Sequence, residues 1–259
     1  MSASRKPNAP RWSAIPDPEG QFSTGITDFD RLLGGGLARG SMALFACDAS
    51  VGPAERELLL TPLILNFLHH SNGVMAVLPA RESPQGFRSH VVQWVGRRRF
   101  DTRVRVIDYV GEGSEAPYVV HLRAMTPGKG DPKRAEQLRA KDMQQMAAAE
   151  SAVRGARARP FIELVAFEIL ETIAGPELAP RMLLHGIKRT RAVGNLGLGI
   201  LRPGLTCADA VRSLADVEFS VTRNEIGLVL KGVRPATSAH LVLPDPQRGA
   251  PYVALVPAP

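Results

Sequence analysis

The chain has 259 residues, 44% hydrophobic and 22% charged, which excludes collagen-like and disordered classes and leaves room for one large domain with a substantial core. Lysine and arginine number 32 against 25 acidic residues, a net charge of +7 that favours polyanionic partners where it is clustered. Aromatic residues make up 5% of the chain, too few for an extended base-stacking platform, so any nucleic-acid contact would rest on phosphates.

The longest apolar stretch, Leu58 to Leu68, is interrupted by Thr61, Pro62 and Asn66 and falls short of the roughly 20 residues a bilayer needs, so no membrane span is expected. The polar, basic start has no apolar targeting region, which makes the cytoplasm the expected location. Cys47 and Cys207 are the only cysteines and neither stands in a paired spacing, so no metal site is expected. Residues 1–22, with Pro7, Pro10, Pro16 and Pro18, read as a flexible lead-in, and residues 23–259 as one domain.

Within that domain short apolar runs alternate with helical stretches, the pattern of a mostly parallel sheet with crossover helices. Ser41 to Cys47 is the first predicted strand. Glu55 to His70 follows as a helix, with Leu59, Leu60, Leu63, Ile64, Phe67 and Leu68 on one broad face. Val74 to Pro79 is a strand, Pro84 to Val95 a helix with proline at its permitted first position, and Arg103 to Asp108 a third strand. The helix formers of Asp131 to Arg157 lead into a strand over Phe161 to Phe167, ending at Glu168. A helix over Glu177 to Arg191, a strand over Leu196 to Leu201 and a short helix over Cys207 to Ala215 complete the alternating part. Glu218 to Thr222, Gly227 to Val233, His240 to Leu243 and Tyr252 to Val256 are short and turn-separated, and should add hairpins at the sheet edge.

The segment Thr24 to Leu68 resembles the opening of RecA-like ATPases of the KaiC/RadA branch. Thr24, Gly25, Ile26, Asp30, Leu33, Gly34, Gly35, Gly36 and Gly40 match that family's lead-in to its first strand and phosphate-binding loop. The resemblance extends to the second strand and its paired-glutamate turn, with Arg81 at the first position and Glu82 at the second. It continues to FIELVAFE, similar to the Walker B strand, with Glu168 where an Asp is usual. Near the C-terminus, Lys231 and Arg234 are the nearest matches to a Lys and Arg that reach a neighbouring subunit's nucleotide. The resemblance implies an α/β, RecA-like P-loop NTPase fold: a mostly parallel central sheet flanked by helices, with a C-terminal β-ribbon.

A loop of the form GxxxxGK[ST] binds phosphate because glycines let backbone N–H groups converge on it, the Lys neutralises charge and the hydroxyl holds Mg²⁺. This chain has CDASVGPA there. Asp48, Ser50 and Gly52 occupy the loop, Pro53 replaces the Lys and removes an N–H, and Ala54 replaces the Ser/Thr. Asp48, Glu55 and Glu57 add negative charge where a triphosphate would sit. Losing these bonds would remove on the order of 5 kcal/mol, roughly three to four decades of affinity. ATP and Mg²⁺ are therefore expected only if another cation, such as Arg56 or Arg39, compensates.

Glu82 and Glu168 are the candidate catalytic carboxylates, although the plainer readings are favoured: Glu168 as a strand-end carboxylate facing a solvated crevice and Glu82 as an N-cap neighbour or salt-bridge partner. Arg97, Arg98 and Arg99, with Arg103 and Arg105, form the densest basic cluster, and Lys188, Arg189 and Arg191 a second. Either could meet a phosphate backbone, or simply suit a helix C-terminus. His69, His70, His185 and the Met143 to Met146 run read as ordinary helix residues. The leading reading is a catalytically impaired RecA/KaiC-like regulatory or assembly subunit. It would form a homo-oligomer, or a hetero-oligomer with an active relative to which it lends Lys231 and Arg234. A divergent ATPase using Glu82 and Glu168, and a DNA-binding recombinase-like protein, are the alternatives.

Overall fold

The computed structural model describes residues 12–80, 82–109, 116–123 and 132–259. Strands β1 (Gln21–Phe22) and β2 (Leu37–Ala38) pair antiparallel around helix α1 (Thr27–Leu32). Then come β3 (Met42–Cys47), α2 (Pro53–His69), β4 (Gly73–Val77), α3 (Pro84–Val95), α4 (Arg97–Arg103), β5 (Val104–Asp108) and β6 (Val119–His121). The chain continues through α5 (Pro132–Arg154), β7 (Phe161–Ala166), α6 (Phe167–Ala174), α7 (Leu178–Val193), β8 (Leu196–Leu201) and α8 (Ala208–Leu214). It closes with β9 (Val217–Asn224), β10 (Gly227–Arg234), β11 (Ala239–Pro244) and β12 (Val253–Pro257).

Ten strands form one sheet in the order β12-β11-β10-β9-β3-β8-β7-β4-β5-β6. From β9 to β6 every neighbouring pair is parallel, and β10, β11 and β12 extend the sheet as an antiparallel ribbon. This is the expected α/β architecture. Every residue of β3, β4 and β8 is buried, as a parallel sheet covered on both faces requires.

Alternation along β3 divides the core. Ala43, Phe45 and Cys47 join Leu59, Leu63 and Phe67 of α2 on one face, while Met42 and Leu44 join Phe167, Leu183 and Val211 of α6, α7 and α8 on the other. A smaller cluster packs Ala149 and Val153 of α5 against β4, β5 and β7. Three helices were not foreseen, the first being α1 in the glycine-rich lead-in. The short α4 occupies the stretch before β5, and α6 follows β7 without a break, so the strand ends at Ala166 and Glu168 belongs to a helix.

The segment expected to be a flexible lead-in is docked from Trp12 onward. Trp12 is 4% exposed and stacks on Tyr252 at 4.7 Å. Fully buried Asn66 of α2 accepts from Ile15 N at 2.8 Å and donates to Ile15 O at 3.0 Å, satisfying a chain that lacks a strand partner there.

The glycine-rich lead-in has a structural logic of its own. Buried Asp30 accepts from Ser23 Oγ at 2.5 Å, Thr24 N at 2.7 Å and Thr24 Oγ1 at 2.7 Å, locking the turn into α1. Gly25, at φ 77°, lies against the carbonyl of Pro62, where a Cβ would come within 2.5 Å of the oxygen.

Candidate functional site

Because β3, β8, β7 and β4 run parallel, their C-terminal ends share one sheet edge, and the segments leaving them frame a common crevice. The residues after β3 set its chemistry. Gly52 caps α2 in an extended conformation and Pro53 takes the first helical position, where its fixed φ fits but it contributes no N–H of its own to the helix start. Three of the loop's backbone donors are engaged within the chain: Asp48 N donates to Val221 O of β9 at 2.9 Å, Val51 N to Asp48 O at 3.2 Å, and Ser50 N to Asp48 Oδ1 at 2.6 Å. The Ser50 hydroxyl also donates to Asp48, and these bonds hold the Asp48 carboxyl below its usual pKa.

Glu55 folds back over the loop. Its Oε2 lies 2.7 Å from where a Cβ on Gly52 would stand, and its Oε1 accepts from Arg223 Nη1 at 2.6 Å. A carboxylate therefore occupies the N-terminus of α2, the position whose partial positive charge would otherwise attract a phosphate.

Arg56, 3% exposed, turns inward from the first turn of α2. It donates to Glu82 Oε1 at 2.7 Å and reaches Val51 O at 3.4 Å, so the sequence-predicted Glu82 is brought to the loop but is engaged by this guanidinium. Ser83, beside Glu82, accepts from Gly86 N at 3.0 Å as the N-cap of α3, with Pro84 following it. Glu168 sits on the same edge: Oε1 accepts from Ala80 N at 3.3 Å, and Oε2 is 3.8 Å from Arg202 Nε, an ion pair longer than a hydrogen bond. Cys47, at the end of β3, shows that these groups converge: burial pushes its thiol up to about 11, with Arg56 and Arg202 opposing and Glu168 and Asp48 reinforcing the shift.

Arg202 and Arg223 were missed by sequence reasoning. A signal existed for Arg202, which immediately follows the predicted strand Leu196 to Leu201, but nothing in the sequence announces that β9 lies beside β3 and carries Arg223 to the loop. Arg39, a candidate compensating cation, stands before β3, about 20 Å from the loop at the ordinary rise of a strand. There it covers the Phe22 ring at 4.3 Å and lies 3.9 Å from Asp17. Arg81 lies outside the described residues.

The remaining candidates are elsewhere. Lys231 is exposed on β10, and Arg234 donates to Ala215 O at 2.6 Å. Arg97 and Arg98 are exposed on α4, with Arg99 half-buried beside them. The second basic cluster is divided by ion pairs, Arg189 with Glu163 at 3.1 Å and with Glu150 at 3.4 Å, and Arg191 with Asp216 at 2.6 Å, leaving Lys188 exposed. Among the described residues no group of three or more His, Cys, Asp and Glu side chains is placed to hold a metal ion, and no helix is long and apolar enough to cross a membrane.

A family model described as GvpD basic region 2 matches residues 11–255. The chain belongs to this family. Two of its relatives are Protein GvpD2 and Protein GvpD1 of Halobacterium salinarum, each 32% identical over 106 residues. Those matches take in 40% of this chain but only 22% and 20% of the two relatives, so the chain spans about a fifth of their length. Among solved structures, a KaiC-like protein from Pyrococcus horikoshii OT3 superposes with a TM-score of 0.59 at 12% identity, over 93% of this chain and 100% of that one. The GvpD basic region 2 chain thus has the RecA/KaiC-like fold that its lead-in resembles.

Proposed function

We propose that this chain is a regulatory or assembly subunit that keeps the RecA/KaiC-like scaffold and does not hydrolyse Mg-ATP. The observation carrying this reading is the state of the segment after β3. Pro53 offers neither ammonium nor amide, Ala54 offers no hydroxyl, and the Glu55 carboxylate held by Arg223 covers Gly52. These residues do not fit a magnesium triphosphate. Arg56, the nearest substitute cation, is buried against Glu82 and Val51, so recruiting it would expose an unpaired Glu82.

Titration with a fluorescent ATP analogue and Mg²⁺ tests the proposal, with weak or no binding expected up to millimolar analogue. Micromolar binding together with turnover that Glu168→Ala abolishes would establish the divergent ATPase instead.

In this reading the scaffold serves subunit contacts, in a homo-oligomer or with an active relative. Exposed Lys231 is the better placed of the two β-ribbon cations to reach a neighbouring subunit's nucleotide, since Arg234 is held by Ala215 O of its own chain. Light scattering, alone and with an intact-loop relative, tests this arrangement. A strictly monomeric protein that leaves the relative's turnover unchanged sinks it.

A further inference from the structure

At the opposite end of β4 from the crevice, α4 and the turn leaving α2 enclose an open concavity of about 530 Å³. Its lining includes Arg97, Arg98, Arg99, Arg103, Thr102 and Ser71, and no Asp or Glu. Arg103 is anchored, donating to Val153 O at 3.2 Å and Arg154 O at 3.0 Å at the C-terminal end of α5. The other three guanidiniums have no carboxylate partner among the described residues, in contrast to Arg88, Arg189 and Arg191, which are all paired. The Arg99 charge reaches past its own helix. After burial, it is the largest influence holding the His69 imidazole below its ordinary pKa. Ser71, in the lining, has a positive φ of 64°, uncommon for a residue other than glycine.

Several guanidiniums in one concavity repel one another, so the ligand that suits them carries more than one negative charge and more than two acceptor oxygens. A carboxylate saturates with one or two guanidiniums, whereas successive phosphate groups can accept from all of them. No aromatic ring lines the pocket to stack a base, so recognition there is of charge and phosphate geometry alone.

We propose that this pocket is a binding site for phosphate chains, with Arg97, Arg98 and Arg99 as its contacting cations and Arg103 as the fixed wall. The site goes beyond the scaffold role argued above and stands whether or not the segment after β3 binds nucleotide. Two sources share this chemistry, a nucleic-acid backbone and a free polyphosphate.

Fluorescence anisotropy with a labelled DNA duplex at about 50 mM salt, and calorimetry with inorganic tripolyphosphate, read both. We expect binding that weakens at least tenfold in R97E/R98E and is largely kept in R97K/R98K/R99K. For a duplex, the slope of log affinity against log salt should shrink by about 2.7 when all three arginines become Ala. Duplex binding without tripolyphosphate binding assigns the backbone as ligand, and the reverse assigns a free polyphosphate. No binding of either probe, binding unchanged in R97E/R98E while circular dichroism shows the variant folded, or equal binding of polyglutamate overturns the proposal. The last result would point to an acidic protein partner.

Discussion

Arg56 and Glu82, brought together from the start of α2 and the segment after β4, form an ion pair of 2.7 Å in which the arginine is 3% exposed. The carboxylate that the family resemblance would assign to catalysis is thereby tied to the segment after β3, and both ends of the pair gain rigidity. Desolvating two charges costs several kcal/mol, and the interaction repays that only while both partners remain.

Truncating the arginine, which empties buried volume as well as breaking the pair, should be more damaging than neutralising the acid with an isosteric amide that still accepts from the guanidinium. Arg56→Ala leaves Glu82, half-buried, without its cation and empties the space of a long side chain, so a loss of about 2–4 kcal/mol is expected in urea unfolding. Glu82→Gln keeps an acceptor for the guanidinium and should cost roughly half as much. A change below about 0.5 kcal/mol for Arg56→Ala would show that the pair contributes nothing to the fold.

If the segment after β3 is an altered phosphate loop, as proposed, substitutions there test whether Glu55 matters as much as Pro53. Pro53→Lys with Ala54→Thr supplies an ammonium and a hydroxyl but leaves the Glu55 carboxylate over Gly52. Nucleotide affinity should stay within about threefold of the parent. Adding Glu55→Ala clears the helix N-terminus and releases Arg223, and affinity should then rise at least tenfold, about 1.4 kcal/mol. Equal affinity of the double and triple variants in nucleotide titrations would mean that the carboxylate is a bystander.

Gly25 and Gly194 share a positive φ, 77° and 67°, but differ in surroundings. A Cβ on Gly25 meets Pro62 O, whereas one on Gly194 meets nothing within 4 Å. Gly194→Ala should cost the conformational term alone, about 1–2 kcal/mol, and Gly25→Ala that plus displacement of α2, about 3 kcal/mol or more. The corresponding fall in Tm for Gly25→Ala is roughly 6–12 °C. Equal melting temperatures for the two variants would refute the close approach.

Glu163 supplies a pH test. Burial raises its pKa above 4.5, outweighing the attraction of Arg189. The folded chain then holds the proton more tightly than the unfolded chain, so between 4.5 and the raised value this group's contribution to stability falls as pH rises. Glu163→Gln stays neutral throughout. Measured by denaturant titration, the stability of the parent relative to Glu163→Gln should increase as pH is lowered from 7 towards 4.5. A difference that is flat or runs the other way contradicts the assignment.

Much of the architecture could be read from local pattern. The apolar runs at β3, β4, β7 and β8 are strands because continuous burial on both faces demands them, and the predicted helix over Pro84 to Val95 matches α3 residue for residue. The α6 helix was missed because its start has no capping side chain: Ala166 precedes it, and the apolar alternation of β7 runs straight into Phe167. Trp12 was read as part of a loose segment because the ring it stacks on, Tyr252, is at the far end of the chain.

By itself the sequence determined the parallel α/β class, the lead-in built on Thr24, Gly25 and Asp30, and the lack of an ammonium and a hydroxyl at Pro53 and Ala54, since these depend on side-chain chemistry and near neighbours. Only the tertiary structure decided which charges meet. Arg223 reaches Glu55 across 168 residues because β9 lies beside β3, and Arg202 comes within reach of Glu168 because β8 lies beside β7. Electrostatic partners follow distance in space, and strand order, which no local pattern encodes, sets that distance.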